Sequence, residues 1–287
     1  MPLLLALFIW CCLTTLLTAA ETRTDAERAG LFGPVLTVNT VTTLPTRDGE
    51  RIVSHYNAHG NETETILYTG TGVLAEKSVH SYNPKEKRTE TITSDANGAL
   101  LRKTLYLFDF HGRLNEQTIL DDVGLIERTT YVYDSQRNSV DETTGHVRRS
   151  LTVRTIRFYD ATGKETATTT FSRDGSATKT TFRYDDKGNV ITRTVSASDG
   201  TVIDRLTYVY EFDATGSWIT QTELICAPTS ELVASNCARA ATVVRTITYG
   251  AHEHHKVLPR KETQATPRSG LRNVLFCSSP LRTITLW

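Results

Sequence analysis

Few side chains in this sequence combine the type and the spacing that chemistry requires. His252, His254 and His255 form the densest group of possible metal ligands, because neutral imidazole nitrogens bind zinc and copper. No motif fixes their geometry, so a flexible polar linker is the alternative, and we predict neither a metal nor another cofactor. The sequence has no nucleophile elbow, no phosphate-binding glycine loop and no zinc-protease motif. We therefore predict that the protein is not an enzyme.

Aromatic residues are the other candidates for a site, because a flat ring can stack on the apolar face of a sugar. Trp218 follows the last of a series of turns, and we expect it to be exposed, so it is the predicted ligand-binding residue. Tyr133, Tyr159 and Tyr184 stand where rings more often form core. Acidic turn residues such as Asp121 could bind calcium, but turn carboxylates more often accept a backbone N–H.

The cysteines and the first residues indicate export. Cys226 and Cys237 flank a proline-containing loop and predict a disulfide in an oxidising compartment, with two free thiols as the alternative. Cys277 then has no predicted disulfide partner. Residues 1–20 resemble a secretory signal, with an apolar stretch from Leu3 to Leu17 before small residues, and an uncleaved membrane anchor is the alternative. We expect the protein to be secreted, periplasmic or on the cell surface, with membrane contact only through an uncleaved signal.

A periodic pattern organises most of the chain. An aromatic residue followed by Asp or Asn recurs every 25 to 28 residues, at Tyr56, Tyr82, Phe108, Tyr133, Tyr159, Tyr184 and Phe212. A second glycine turn falls inside most units, so each unit has two strands joined by hairpins. Over residues 35–249 we predict an all-β fold of about seven tandem ~26-residue units, which form a long twisted or curled antiparallel β-meander. Gly163 and Gly188 are expected at positive φ.

Alternation along the strands predicts two different faces. Tyr208, Tyr210 and Phe212 fall on one face, which we expect to be half-buried. Polar residues such as Glu62 and Glu64 are expected on the opposite face, in contact with water.

The motif aromatic-Asp-x-x-Gly stands complete at residues 108–112, 159–163, 184–188 and 212–216. Together with the intervening Asp-Gly turns, as at Asp174-Gly175, it resembles the YD-repeat, or RHS-repeat, family of secreted and surface bacterial proteins. The resemblance covers about residues 50–249. It implies a β-meander that can curl into a spiral or shell, with carbohydrate binding in some members. Large relatives enclose toxin domains, but about seven units are too few to close a shell.

Charge and composition divide the rest of the chain. Lys and Arg number 32, as do Asp and Glu, so no basic domain is available to attract nucleic acid. Residues 250–287 carry an excess of positive charge and are predicted to be a basic, divergent and poorly ordered tail, and residues 21–34 are predicted to be a linker. We expect a non-enzymatic scaffold that binds a polysaccharide, or another carbohydrate, or a cell-surface protein partner. The alternative is a carrier or shell fragment of an RHS-type toxin system whose tail is a small effector.

Overall fold

The structure is a computed structural model that describes residues 23–44, 49–226 and 237–250. These residues form sixteen antiparallel strands, one short helix α1 at Asp25–Arg28 and one 3₁₀ turn at Val147–Arg149. The strands are β1 Val35–Thr43, β2 Arg51–Tyr56, β3 Glu62–Tyr68, β4 Leu74–Tyr82, β5 Arg88–Asp95, β6 Leu100–Phe108, β7 Leu114–Leu120, β8 Leu125–Asp134, β9 Ser139–His146, β10 Leu151–Tyr159, β11 Glu165–Phe171, β12 Ala177–Tyr184, β13 Val190–Ala197, β14 Val202–Phe212, β15 Trp218–Cys226 and β16 Cys237–Tyr249. The predicted all-β antiparallel class is confirmed.

The sheet is a closed barrel. Each strand pairs with its neighbours in sequence, and β1 also pairs with β16, where Val38 faces Ile247. The open meander and the expectation of too few units to close are therefore wrong, because pairing the first and last strands leaves no exposed backbone edge. With strands ~4.8 Å apart and tilted by about 40°, the backbone diameter is roughly 30 Å, which is too wide for side chains to fill.

One end of the barrel, called the mouth below, carries the aromatic-Asp turns. In six of them an Asp or Asn Oδ1 accepts the backbone N–H four residues later, namely at Asn57, Asn83, Asp109, Asp160, Asp185 and Asp213. Gly163 and Gly188 have φ of 78° and 90°, which confirms that prediction. At the other end Asp121 similarly accepts the N–H of Val123 at 2.9 Å. The division into about seven tandem units stays a prediction.

Side chains alternate between the lumen of the barrel and its outer face. Residues 24–34 identify the lumen face, because this short segment contacts strands well apart around the ring, at Arg88 in β5 and Arg245 in β16. Charged side chains lie on both faces, such as Arg157 in the lumen and Lys103 outside, and each belongs to an ion pair. Both faces of the sheet therefore carry charged groups. Among the described residues, no helix has the length and apolar character to span a bilayer.

An apolar cluster closes the seam between β16, β1 and β2. Leu31 and Val38 are 2% and 3% exposed, and with Ala26 and Val35 they form a buried core against which Ile247 packs. Because Ala26 and Leu31 precede the first strand, burial of this cluster draws the N-terminal segment into the barrel.

The predicted disulfide is confirmed, and it links the facing ends of β15 and β16. The Sγ atoms of Cys226 and Cys237 are bonded, and their Cα atoms lie 4.1 Å apart. Several predictions lie outside the described residues: the signal at residues 1–20, the tail beyond Gly250, and the states of His252, His254, His255 and Cys277.

Candidate functional site at the mouth of the barrel

Residues 24–34, called the plug below, lie inside the mouth. Thr24 begins α1 with a capping box, which fixes the start of this short helix. The N–H of Ala26 donates to the carbonyl of Gly60 in the β2–β3 turn at 2.9 Å. The N–H of Phe32 donates to Ser217 Oγ, just before β15, at 2.8 Å. The plug, which lies wholly within the segment predicted as a linker, is thus hydrogen-bonded to two separate parts of the rim.

Asp25 fastens the plug to the lumen wall. Its carboxylate accepts the backbone N–H of Glu62 and a guanidinium N–H of Arg88, each at 3.0 Å, and further bonds from Tyr82 and Arg28. Burial alone raises the pKa of Asp25, but the Tyr82 hydroxyl and the Arg88 charge outweigh burial and lower the pKa to about 2. Asp25 is therefore charged at neutral pH with its acceptor positions occupied, which suits a structural role and not general acid catalysis.

The recurring aromatic residues line the lumen beside the plug. The hydroxyls of Tyr133 and Tyr184 donate to backbone carbonyls 19 residues earlier, at 2.9 and 2.6 Å. The Tyr82 hydroxyl, which donates to Asp25, lies 2.7 Å from the carbonyl oxygen of Glu62, 20 residues earlier. Tyr159 lies at the equivalent place, and burial raises its pKa to about 12. These rings are half-buried and join neighbouring hairpins, which agrees with the structural role predicted for them.

Trp218 lies half-buried on the lumen side at the start of β15. The guanidinium of Arg245 lies 3.3 Å from the centroid of its indole, and Tyr210 packs edge-on with the ring centroids 5.9 Å apart. Gly30 of the plug covers the indole closely, since a Cβ at Gly30 would come within 3.2 Å of Cδ1. Trp218 therefore belongs to the mouth and not to the outer surface. Its binding of a ligand stays a prediction.

Two cavities remain between the plug and the lumen wall. The larger, called the aromatic cavity, has a volume of ≈ 790 Å³. Its apolar wall is Tyr106, Phe108, Leu114 and Tyr133. Its polar side includes Arg23, Asp25, Asn61, Glu86 and Arg88. The smaller, called the basic cavity, has a volume of ≈ 510 Å³ and lies against Trp218, Tyr210 and Arg245. Both volumes fall within the range of about 300–1,000 Å³ that is typical of ligand pockets.

The carboxylates at the aromatic cavity are engaged in holding the mouth together. Glu86 accepts a hydrogen bond from the Asn61 amide. The Asp25 carboxylate accepts hydrogen bonds from Arg88 and Tyr82. Within the described ranges, no group of three or more His, Cys, Asp or Glu could hold a metal ion. The arrangement can bind a molecule by stacking and hydrogen bonding.

Sequence reasoning named Trp218 but missed Asp25, Arg88 and Arg245. A signal was present for Arg245, because strict alternation puts it on the same face as Val243 and Ile247. A cation between inward-facing apolar residues indicates a charged group directed into the barrel. Asp25 carried no comparable signal, since its partners come from strands that only the tertiary fold brings to it.

Comparisons with known proteins give little beyond the fold. A family model described only as an uncharacterised protein matches residues 102–223, and no curated protein matches the chain. A porin-like protein from Bacteroides uniformis is 12% identical over 76% of this chain and 99% of its own, with a TM-score of 0.39. One from Bacteroides vulgatus is 9% identical over 75% and 98%, with a TM-score of 0.40. The Tc holotoxin pore of Photorhabdus luminescens is 11% identical over 62% of this chain and 14% of that chain, with a TM-score of 0.23.

These findings correct the resemblance to the YD-repeat family. The family model that matches residues 102–223 is described only as an uncharacterised protein and not as a YD-repeat protein, so the YD-repeat assignment is wrong. The toxin-carrier alternative rested on that resemblance and is not taken further. All three TM-scores are low, and we draw no conclusion about function from these structures.

Proposed function

We propose that this protein is a non-enzymatic binding barrel that takes up carbohydrate in the aromatic cavity. The observation that carries the proposal is the presence of an aromatic wall, Tyr106 and Phe108, and of the exposed side chains of Arg23 and His59 in the lining of one cavity. Aromatic rings stack on the apolar face of a sugar, while planar polar groups bind its hydroxyls. The lumen is a better candidate for the binding surface than the outer face, because rings and polar groups of the lumen line one cavity.

Export of the chain is part of the same proposal. The Cys226–Cys237 disulfide supports an oxidising compartment, because such bonds persist in secreted and periplasmic proteins. Lys77 pairs with Glu64 on the outer face at 2.6 Å, and Arg154 pairs with Asp141 there. Charged pairs of this kind favour an aqueous setting for that face. A polysaccharide of the cell surface is the partner that fits this location, and a protein partner has no comparable support.

The proposal is tested by a glycan-array screen of the exported protein followed by calorimetry on the best saccharide. Phe108→Ala and Tyr106→Ala should each weaken binding by about tenfold, since one stacked ring contributes on the order of 1 kcal/mol or more. Phe171→Ala is the matched control, because this ring lies against Arg154 on the outer face. Saccharide binding that is unchanged by both lumen variants, or lost equally in the control, would refute the aromatic cavity as the site.

A further inference from the structure

The basic cavity holds more positive charge than the described side chains around it neutralise. Its cationic lining residues are Arg23, Arg28, Lys164, Lys187 and Arg245. Glu27 is the acidic residue of the lining, and its carboxylate already accepts the N–H of Thr24 at 2.8 Å. Lys164, Lys187 and Arg245 belong to none of the ion pairs formed by the described residues. Arg28 pairs with Asp25, but the other four cations leave the cavity with an excess of positive charge.

Arg245 is the most deeply placed of these charges. One terminal nitrogen donates to the carbonyl of Ala29 at 2.8 Å, while its Nε is buried and has no hydrogen-bond partner among the described residues. Burial lowers the pKa of Arg245 to about 10, and the tyrosines Tyr56 and Tyr210 oppose this only in part. The guanidinium is still charged at neutral pH. A buried charge without a counter-ion is costly, so a negative group nearby would stabilise it.

Two lysines complete the opposite rim of the cavity. The Nζ of Lys164 lies 5.5 Å from the centroid of Tyr184, and the Nζ of Lys187 lies 3.4 Å from the centroid of Phe212. The Lys164 side chain passes Gly188, where a Cβ would meet its Nζ at 3.4 Å, so the two lysines stand on adjacent turns. Their ammonium groups rest on ring faces, which hold cations in place without neutralising them.

We propose that the basic cavity binds a small oxyanion, phosphate or sulfate, either free or as the charged substituent of a larger molecule. Guanidinium and ammonium groups form their strongest hydrogen bonds with such oxygens. An anion here lies between the plug, through Arg23 and Arg28, and the wall that carries Lys187, so it binds the plug to the barrel. The two cavities share Arg23 and Arg28 of the N-terminal segment, but Lys164, Lys187 and Arg245 line the basic cavity and not the aromatic cavity. The inference goes beyond carbohydrate binding.

The test is titration of the exported protein with inorganic phosphate and with inorganic sulfate, in chloride buffer at constant ionic strength. We expect saturable binding by calorimetry and a higher melting temperature, since a ligand of the folded state stabilises it. Lys187→Gln should weaken binding by about tenfold and Arg245→Gln by more, in line with charged hydrogen bonds. Glucose 6-phosphate and glucose 6-sulfate as further arms show whether the anion is taken free or on a sugar.

Lys179→Gln is the matched control, because Lys179 is an exposed lysine on the outer face of the neighbouring strand β12. The Lys179→Gln variant should bind phosphate and sulfate with the affinity of the unaltered protein. Lys187 is exposed on a turn, so its variant folds even if Arg245→Gln does not. Absence of saturable binding, or equal affinity in the Lys187 and Lys179 variants, would overturn the inference. Titration with a neutral saccharide reports on the aromatic cavity, and Lys187 lines the basic cavity and not the aromatic one, so failure of either proposal is recognised separately.

Discussion

Arg88 Nη2 lies 3.0 Å from the Asp25 carboxylate, and this pair joins the plug to β5. The two residues are 63 positions apart, and the side chain of Asp25 is 11% exposed. Arg88 also lies 3.2 Å from the carboxylate of Glu62 in β3. One guanidinium therefore connects the N-terminal segment with two strands of the wall, which makes the plug part of the folded barrel.

The pH dependence of stability should reveal this anchor. The pKa of Asp25 falls from 3.8 to about 2 on folding, so its contribution is complete above about pH 4 and is lost as the pH falls through about 2. The loss amounts to roughly 2 kcal/mol. We expect Asp25→Asn to remove this part of the pH dependence of the free energy of unfolding, measured with denaturant between about pH 5 and 2. Asp186→Asn, at an exposed turn position, should keep it, and an equal acid slope in both variants would contradict the assignment.

The plug should contribute to stability through burial of Leu31. Leu31 is 2% exposed, so Leu31→Ala leaves a cavity and should lower the free energy of unfolding by about 2–4 kcal/mol. Leu36 is 46% exposed, and Leu36→Ala should change the free energy of unfolding by less than about 1 kcal/mol. Denaturant unfolding of both variants measures the difference. Similar values would show that the plug is not packed as described.

Turn glycines can be tested at a position free of steric contacts. Gly98 has φ of 84°, and no atom lies within 4 Å of a Cβ placed there, so Gly98→Ala tests backbone strain alone. Gly98→Ala should lower the free energy of unfolding by about 1–2 kcal/mol. Gly145 has no positive φ and pairs with Thr152 within a strand, so Gly145→Ala should be neutral or slightly stabilising. Thermal melting compares the two, and equal shifts would count against the turn geometry.

The disulfide should stabilise the whole barrel. With a sequence separation of 11 between Cys226 and Cys237, the chain-entropy model gives about 3 kcal/mol. β16 pairs with both β15 and β1, so loss of the disulfide should weaken the pairing of β16 with each of these strands. We expect a reductant to lower the melting temperature of the unaltered protein in one cooperative transition. The Cys226→Ala, Cys237→Ala double variant should melt at the lower temperature and show no response to reductant.

Local features of this fold were predictable from the sequence, whereas closure was not. Strand composition, the positive φ of Gly163 and the Cys226–Cys237 bond follow from neighbouring residues. Pairing of β1 with β16 depends on two segments at opposite ends of the described chain, and nothing local distinguishes an open sheet from a closed one. Glu62 shows a second limit. It was expected to face away from the tyrosines, but a register shift beside Tyr56 turns it into the lumen and leaves Glu64 outside.

The candidate site was predictable in part for the same reason. Trp218 stood out by its type and its place after a turn. Arg245 lies in an alternating strand, but its lack of a counter-ion depends on residues from several strands and from the plug, which no sequence spacing brings together.

The pairing of Val35 with Tyr249 has a consequence for the order of folding. Hairpins can form as soon as their two strands are available, but the ring cannot close until the last strand is complete. Contacts of such high sequence separation make folding slow, because the chain must bring its ends together before they stabilise each other. During synthesis, the free edges of the first and last strands stay unpaired for the longest time, and they are the surfaces that a chaperone would have to protect.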